Sequence, residues 1–382
     1  MRKIIDFLFF VYSVLLIFFF WKTAYFWYNM RYMNEDDGDK LSGILLLAIE
    51  VLSIFLFLSS PKHKGKDMWI HWVCFLWEVI MIFVLFYNHA PIGHYIRCLA
   101  WPLFFETAYI FVRSNIRLVA RFRKLFYVFV FIGGLVFFSA MELKMYENQS
   151  NMIYFMLLPV PVLMLWKNVK WQYSILVFTS FFALMSMKRS MMLAVALCWG
   201  TIVFRYLVNK GRKTTAIFMI VLLAGAAGGF FMVIDKYTGG GLSARTTDYE
   251  KEDITNGREG IYLVTIDMIA RSSSDHLLFG HGHNGVKSDS FLNISAHNEF
   301  LEIIYDYGII MLLVYLALWT YVVRQWIYYY RNNSLYFIPY TLSICFFALM
   351  ALVSQLVIYV SYFLYLVMFW GMVQALKEIK MK

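Results

Sequence analysis

The feature that most constrains the fold is a series of long apolar runs that are hydrophobic on every side. About 20 such residues cross the hydrocarbon core of a bilayer as one helix. The chain is 61% hydrophobic and 15% charged, which is too apolar for a soluble domain of 382 residues. We therefore predict an all-α integral membrane protein with about twelve transmembrane helices, forming a single domain over residues 1–382. The predicted spans are 4–28, 41–59, 68–87, 94–112, 125–141, 151–166, 171–187, 190–207, 214–234, 297–323, 335–353 and 357–377. Pro159 and Pro161 fall inside the span 151–166 and should kink it, which neighbouring helices can accommodate.

Lys and Arg residues are concentrated in alternate segments between the predicted spans. If the N-terminus is cytoplasmic, the basic clusters at 62–66, 113–124 and 205–213 all lie inside. This pattern predicts that both termini are cytoplasmic and that the long polar loop, residues 235–296, is extracytoplasmic. Topology and attraction to anionic membrane lipids then explain the net charge of +10, so no nucleic-acid partner is needed.

The long loop has recognisable internal features. Gly239 to Gly241 form a flexible start. Apolar residues between Ile261 and Arg271 recur at helical spacing and predict a short helix on the membrane surface or on the other spans. The glycines from 280 to 285 interrupt regular structure, so the backbone there can approach a ligand.

His297 lies where the loop meets the tenth predicted span and is our candidate for chemistry. A neutral imidazole can accept a proton from a sugar hydroxyl, because its unperturbed pKa is about 6.5. Asn298 and Glu302 follow it as candidate supporting residues. The alternative is an ordinary polar helix start, capped by Asn298 or His297, and polarity alone favours that alternative.

Two arginines and a lysine complete the outer group. Arg258 precedes the short loop helix, and a guanidinium suits bidentate phosphate contacts, although a head-group anchor or an ion pair with Glu259 is the alternative. Lys188 and Arg189 lie at the outer end of the seventh predicted span, where short connections rarely carry positive charge. This unusual position favours a functional role for Arg189 and leaves Lys188 open.

Other ionisable residues are weaker candidates for a functional role. His281 and His283 are possible supporting residues of the site. They could also be a metal pair, but no cysteine and no His-Glu-x-x-His helix accompanies them. We therefore expect no metal and no cofactor. Glu50, Glu78, Arg97 and Glu106 lie within predicted spans and should face the bundle interior. Glu106 and Arg97 could pair or line a polar groove, and a structural pair is favoured over a catalytic carboxylate.

The polar motifs together resemble those of the O-antigen ligase and polymerase superfamily. They are Lys-Arg-Ser at 188–190, Gly257-Arg258, Phe-Gly-His-Gly at 279–282, Ala-His-Asn-Glu-Phe-Leu-Glu at 296–302, and Gly308. The resemblance extends from 188 to 308. It departs from the family at Lys188, where a small or hydroxyl residue often precedes the arginine.

The resemblance implies a metal-independent, inverting glycosyltransferase of GT-C-like architecture in the bacterial inner membrane. Its substrates would be undecaprenyl diphosphate-linked glycans, used to build O-antigen, capsule or exopolysaccharide. Arg189 and Arg258 would hold the diphosphate, and His297 would orient or deprotonate the acceptor hydroxyl. A chain-length regulator and a flippase of the same pathway are the implied partners, besides membrane lipids.

Three alternatives stay open at the level of sequence. The amino-acid sequence of residues 297–309 resembles polymerases slightly more than it resembles ligases, which transfer polysaccharide to lipid A–core. Twelve spans with both termini inside also fit a transporter or flippase of lipid-linked sugars, but we find no inverted repeat, and the polar residues crowd the outer face. A non-catalytic scaffold of an envelope complex is the third alternative.

Overall fold

The computed structural model describes most of the chain outside the region 209–257. The described residues are 2–29, 40–60, 68–142, 146–166, 168–186, 188–208, 217, 221, 225, 229, 232, 236, 258–332, 334–354, 356–357 and 359–380. The predicted span 214–234, apart from single positions, and the loop glycines 239–241 and 257 lie outside the described residues.

Across these residues the protein is built of α-helices, and they contain no β-strand. The helices are α1 Arg2–Asn29, α2 Lys40–Ser59, α3 Trp69–Tyr87, α4 Ile92–Cys98, α5 Ala100–Ser114, α6 Leu118–Glu142, α7 Tyr146–Leu157, α8 Val160–Leu163, α9 Val169–Met185, α10 Arg189–Val208, α11 Arg258–Arg271, α12 Ser274–Phe279, α13 Gly285–Asp289, α14 Glu299–Arg331, α15 Phe337–Val353 and α16 Val360–Lys380.

Seven of the described helices are long and apolar enough to cross a membrane, namely α1, α2, α3, α6, α10, α14 and α16. Helices α9 and α15 are apolar but shorter. Helix α16 lies at the centre of the bundle. In its apolar stretch 89% of the residues are buried, compared with 28% in the apolar stretches of α1 and α2. The all-α prediction is confirmed for the described part of the chain, while the count of twelve spans stays a prediction.

Two predicted spans are broken at prolines. Pro159 and Pro161 lie at the junction of α7 and α8, which confirms the kink expected in the span 151–166. The predicted span 94–112 is divided into α4 and α5. Pro102 has no N–H to donate to the carbonyl four residues earlier, that of Cys98. The indole Nε1 of Trp77 donates to this carbonyl instead, at 2.9 Å.

The glycine-rich turn of the loop docks into a kink of α14. Helix α14 is continuous except at Gly308, whose φ of 82° and ψ of 173° are not helical. Beside this kink the N–H of His281 donates to the carbonyl of Tyr305 at 2.9 Å, and the N–H of Gly282 donates to that of Asp306 at 2.8 Å. These bonds use carbonyls freed by the kink and fix the turn to α14.

Two glycines allow the backbones to come this close. A Cβ on Gly280 would lie 2.2 Å from the carbonyl oxygen of Asp306, and a Cβ on Gly308 would lie 2.1 Å from that of Leu278. Both residues also have positive φ values, 71° and 82°, in a region that only glycine adopts without strain. The loop can therefore dock on α14 only with glycine at both positions.

We expect Gly280→Ala and Gly308→Ala each to destabilise the protein by about 2–5 kcal/mol, because backbone strain adds to overpacking. Thermal unfolding of the purified protein in detergent measures the change. Gly200→Ala is the matched control, since a Cβ there meets no atom within 4 Å. Equal unfolding temperatures for all three variants would contradict the docking role.

Candidate functional site

His297 lies at the sharp turn that begins α14. Its φ is 52°, an uncommon left-handed value for a residue other than glycine. The side chain of Asn298 caps the helix, accepting from the N–H groups of Phe300 at 3.1 Å and Leu301 at 3.2 Å. The buried carboxylate of Glu302 accepts from the N–H of Ala296 at 2.8 Å. Asn298 and Glu302 thus fix the backbone of the turn. Their contacts do not involve the imidazole of His297.

Three helices meet the backbone of this turn. The hydroxyl of Tyr262 on α11 lies 3.3 Å from the carbonyl oxygen of His297 and 3.1 Å from that of Leu352 at the end of α15. Asn298 Nδ2 is 3.5 Å from the same Leu352 oxygen. Tyr262 therefore ties the short loop helix both to His297 and to the C-terminal end of α15.

The buried carboxylate of Glu299 joins the start of α14 to the connection between α15 and α16. It accepts from the hydroxyl of Tyr315 at 2.7 Å, from the N–H of Leu356 at 3.0 Å, and from the N–H of Val357. These donors stabilise the carboxylate away from water. Sequence reasoning missed both Glu299 and Tyr262, because their role is to contact backbone that is distant along the chain.

Lys188, Arg258 and His297 form one electrostatic group, which we call the cation–histidine cluster. Burial lowers the pKa of His297 below its ordinary value of 6.5, and the positive charges of Arg258 and then Lys188 lower it further. His297 is therefore neutral at pH 7 and able to accept a proton. The structure brings together residues that the sequence separates by up to 109 positions.

Lys188 is held on the other side of the cluster by α7. Its Nζ donates to Asn151 Oδ1 at 2.9 Å and lies 5.3 Å from the ring centre of Tyr154. The next residue, Arg189, begins α10 and is half-buried. Its convergence with Arg258 and His297 on one cavity stays a prediction. Asn151 belongs to no recognisable motif, so the sequence alone does not identify it as part of the site.

His281 and His283 serve the docking of the glycine-rich turn. The ring of His281 stacks on Tyr305 with centroids 4.1 Å apart, and its Nε2 lies 2.9 Å from Ser272 Oγ. His283 hydrogen-bonds through Nδ1 to the Tyr307 hydroxyl at 2.5 Å. Burial lowers the pKa of His283 to about 3, so this ring stays neutral. These contacts favour a structural role over the supporting role expected from sequence.

A buried carboxylate completes that docking. Asp306 accepts from the N–H of Asn284 at 3.0 Å and from the N–H of Val286 at 2.9 Å. Asn284 has a left-handed φ of 62° at the start of α13. The glycine turn and Gly308, which carried part of the family resemblance, therefore have a physical explanation as one folding unit.

The segment from α9 to the middle of α14 contains the whole cation–histidine cluster and the docked turn. Residues 174–316 match the family described as O-antigen ligase. The match confirms the resemblance to the O-antigen ligase and polymerase superfamily, over less than half of the chain. With the seven apolar helices, it supports a multi-pass membrane protein with an activity of this type. Searches of curated proteins and of solved structures gave no match.

We expect Arg258→Gln and Lys188→Met each to raise the pKa of His297, because each removes a positive charge that disfavours the imidazolium. The pKa is measured by NMR titration of protein labelled at histidine Cε1, with His297→Gln assigning the resonance. Arg271→Gln is the matched control, since Arg271 is exposed on the same helix and pairs with Asp267 at 2.9 Å. A His297 pKa that is the same in all variants would contradict the cluster.

Proposed function

We propose that this protein is a membrane glycosyltransferase that polymerises undecaprenyl diphosphate-linked oligosaccharide units. The observation that carries the proposal is a neutral, half-buried imidazole under the influence of two cations, inside the segment that matches the family. The product would be O-antigen, capsule or exopolysaccharide, formed at the outer face of the bacterial inner membrane.

The proposed reaction is a displacement at the anomeric carbon of the donor glycan. The acceptor hydroxyl oxygen forms a bond to this carbon while the bond to the diphosphate oxygen breaks. The hydroxyl proton passes to His297, and the electron pair of the broken bond leaves with the diphosphate. Such a single displacement inverts the anomeric configuration.

Arg189, Arg258 and Lys188 would stabilise the negative charge that develops on the diphosphate. Fixed cations in a partly dry site do this effectively, because little reorganisation is needed during the reaction. Diphosphate binding would also neutralise the charges that lower the pKa of His297. His297 would then become a stronger base when the donor is bound, which couples donor binding to acceptor activation.

The membrane arrangement of this proposal follows the charge pattern of the sequence. We propose about twelve spans in a GT-C-like arrangement, with both termini cytoplasmic and residues 235–296 forming the outer loop. The lipid-linked diphosphate would then meet the cation–histidine cluster at head-group level. A chain-length regulator and a flippase of the same pathway would be its partners.

A ligase that transfers the finished polysaccharide to lipid A–core is the second candidate, because the matched family carries that description. An assay with purified enzyme and lipid-linked repeat units separates the two activities. A ladder of products from repeat units alone indicates a polymerase. Transfer that requires lipid A–core indicates a ligase.

We expect His297→Ala to reduce turnover by at least about 100-fold, because it removes the general base. Arg258→Gln and Arg189→Gln should each reduce it by about 100- to 1000-fold through loss of charge stabilisation. The assay uses radiolabelled lipid-linked units, and Arg271→Gln on the same helix as Arg258 should leave turnover unchanged. Full activity of the Arg258 and Arg189 variants would refute the proposed function.

We expect turnover to survive EDTA. The part of the chain that the structure describes contains no group of three or more His, Cys, Asp or Glu side chains suited to a metal ion. The proposed cations would carry the electrostatic role that a metal plays in many glycosyltransferases. Loss of turnover in EDTA, restored by a divalent ion, would show that the metal-independent mechanism is wrong.

A further inference from the structure

Two carboxylic side chains lie half-way along neighbouring apolar helices. Glu50 is in the middle of α2 and Glu78 is in the middle of α3. Both helices are long and apolar enough to cross a membrane, so the two residues lie near the mid-depth of their spans. Glu50 is only 6% exposed, and charge on Glu78 acts on it.

Each of these side chains has a buried oxygen without a hydrogen-bond partner. Within the described part of the chain, Glu50 Oε1 and Glu78 Oε1 are both buried and receive no donor. No ion pair found between described residues includes either carboxyl. An ionised carboxylate buried in this way is costly, and two of them acting on each other are costlier still.

Nearby ionisable groups offer little positive charge to offset this cost. Helices α1, α4 and α5 pack against α2, while α4, α5 and α14 pack against α3. His71, the imidazole on α3, already pairs with Glu106 through Nδ1 at 2.7 Å. Arg97 is exposed on α4. Titratable and charged groups on these elements include Tyr12, His71, Cys74, Arg97, Cys98 and Glu106.

Polar groups on α4 lie between these two helices and the loop. Helix α4 packs against both α2 and α3, and it carries Cys98, whose Sγ lies 3.4 Å from the Tyr307 hydroxyl and 3.6 Å from His283 Nδ1. His283 belongs to the docked glycine-rich turn. The end of α3 is on the same side, because Asn88 Nδ2 donates to the carbonyl of Phe279 at 3.1 Å.

We propose that Glu50 and Glu78 form an intramembrane proton-binding site, which is filled at neutral pH and reached from the outer face past Tyr307 and Cys98. A bound proton neutralises one carboxylate and so removes the repulsion between the two. Ionisable residues at mid-depth in a membrane bundle commonly carry protons in this way. The site is distinct from the cation–histidine cluster and does not depend on the proposed glycosyltransferase activity.

The test is labelling of the full-length protein in lipid nanodiscs with dicyclohexylcarbodiimide, an apolar reagent that adds only to protonated carboxyl groups. Mass spectrometry locates the adduct. We expect labelling at Glu50 or Glu78 at pH 7 and its loss at high pH. The double variant Glu50→Gln with Glu78→Gln should lose this label. Asp275, an exposed loop carboxylate, should stay unlabelled in every sample.

Infrared spectroscopy of the same samples is the second measurement. The carbonyl band of buried protonated carboxyl groups should be stronger in the wild type than in the double variant. Absence of the adduct from the wild type at pH 7, with an equal band in both samples, would overturn the proposal. Protection of the label by sodium chloride but not by choline chloride would also overturn it, because the occupant would then be a sodium ion.

Discussion

The docking of the glycine-rich turn into the kink of α14 is the contact on which the half of the structure around His297 depends. Backbone donors at 281 and 282 use carbonyls that the kink at Gly308 exposes, and Asp306 secures the residues that follow. This contact turns a polar loop segment into a fixed part of the bundle. Because α14 also begins with His297, the same helix connects the docked turn to the cation–histidine cluster.

The cluster itself is assembled from three distant elements, each held by its own buried contacts. Asn151 orients Lys188, the turn before α14 fixes His297, and Tyr262 links α11 to that turn. Cations held beside an imidazole keep it neutral in the free protein. They also create a position where an anion is stabilised, so in the proposed function one arrangement would serve both binding of a phosphorylated lipid and removal of a proton.

Ionisable residues divide between two depths of this bundle. Lys188, Arg258 and His297 lie on loops and helix ends, where water can offset their charge. Glu50 and Glu78 lie at mid-depth, where charge is costly and a proton is the simplest way to remove it. Cys98, on the helix that packs against both α2 and α3, contacts Tyr307 and His283 of the docked turn, and the proposed proton site would be reached along these groups.

The sequence by itself determined the all-α membrane character, the kink at Pro159 and Pro161, and the candidate residues Arg258 and His297. Apolar run length, proline chemistry and charge type are local properties, so they are readable without a fold. The tertiary structure alone decided that Lys188 acts on His297, that His281 and His283 serve docking, and that Glu299 ties α14 to the connection before α16. These roles depend on backbone groups and side chains far apart along the chain, and only packing in three dimensions brings them within hydrogen-bonding or electrostatic range.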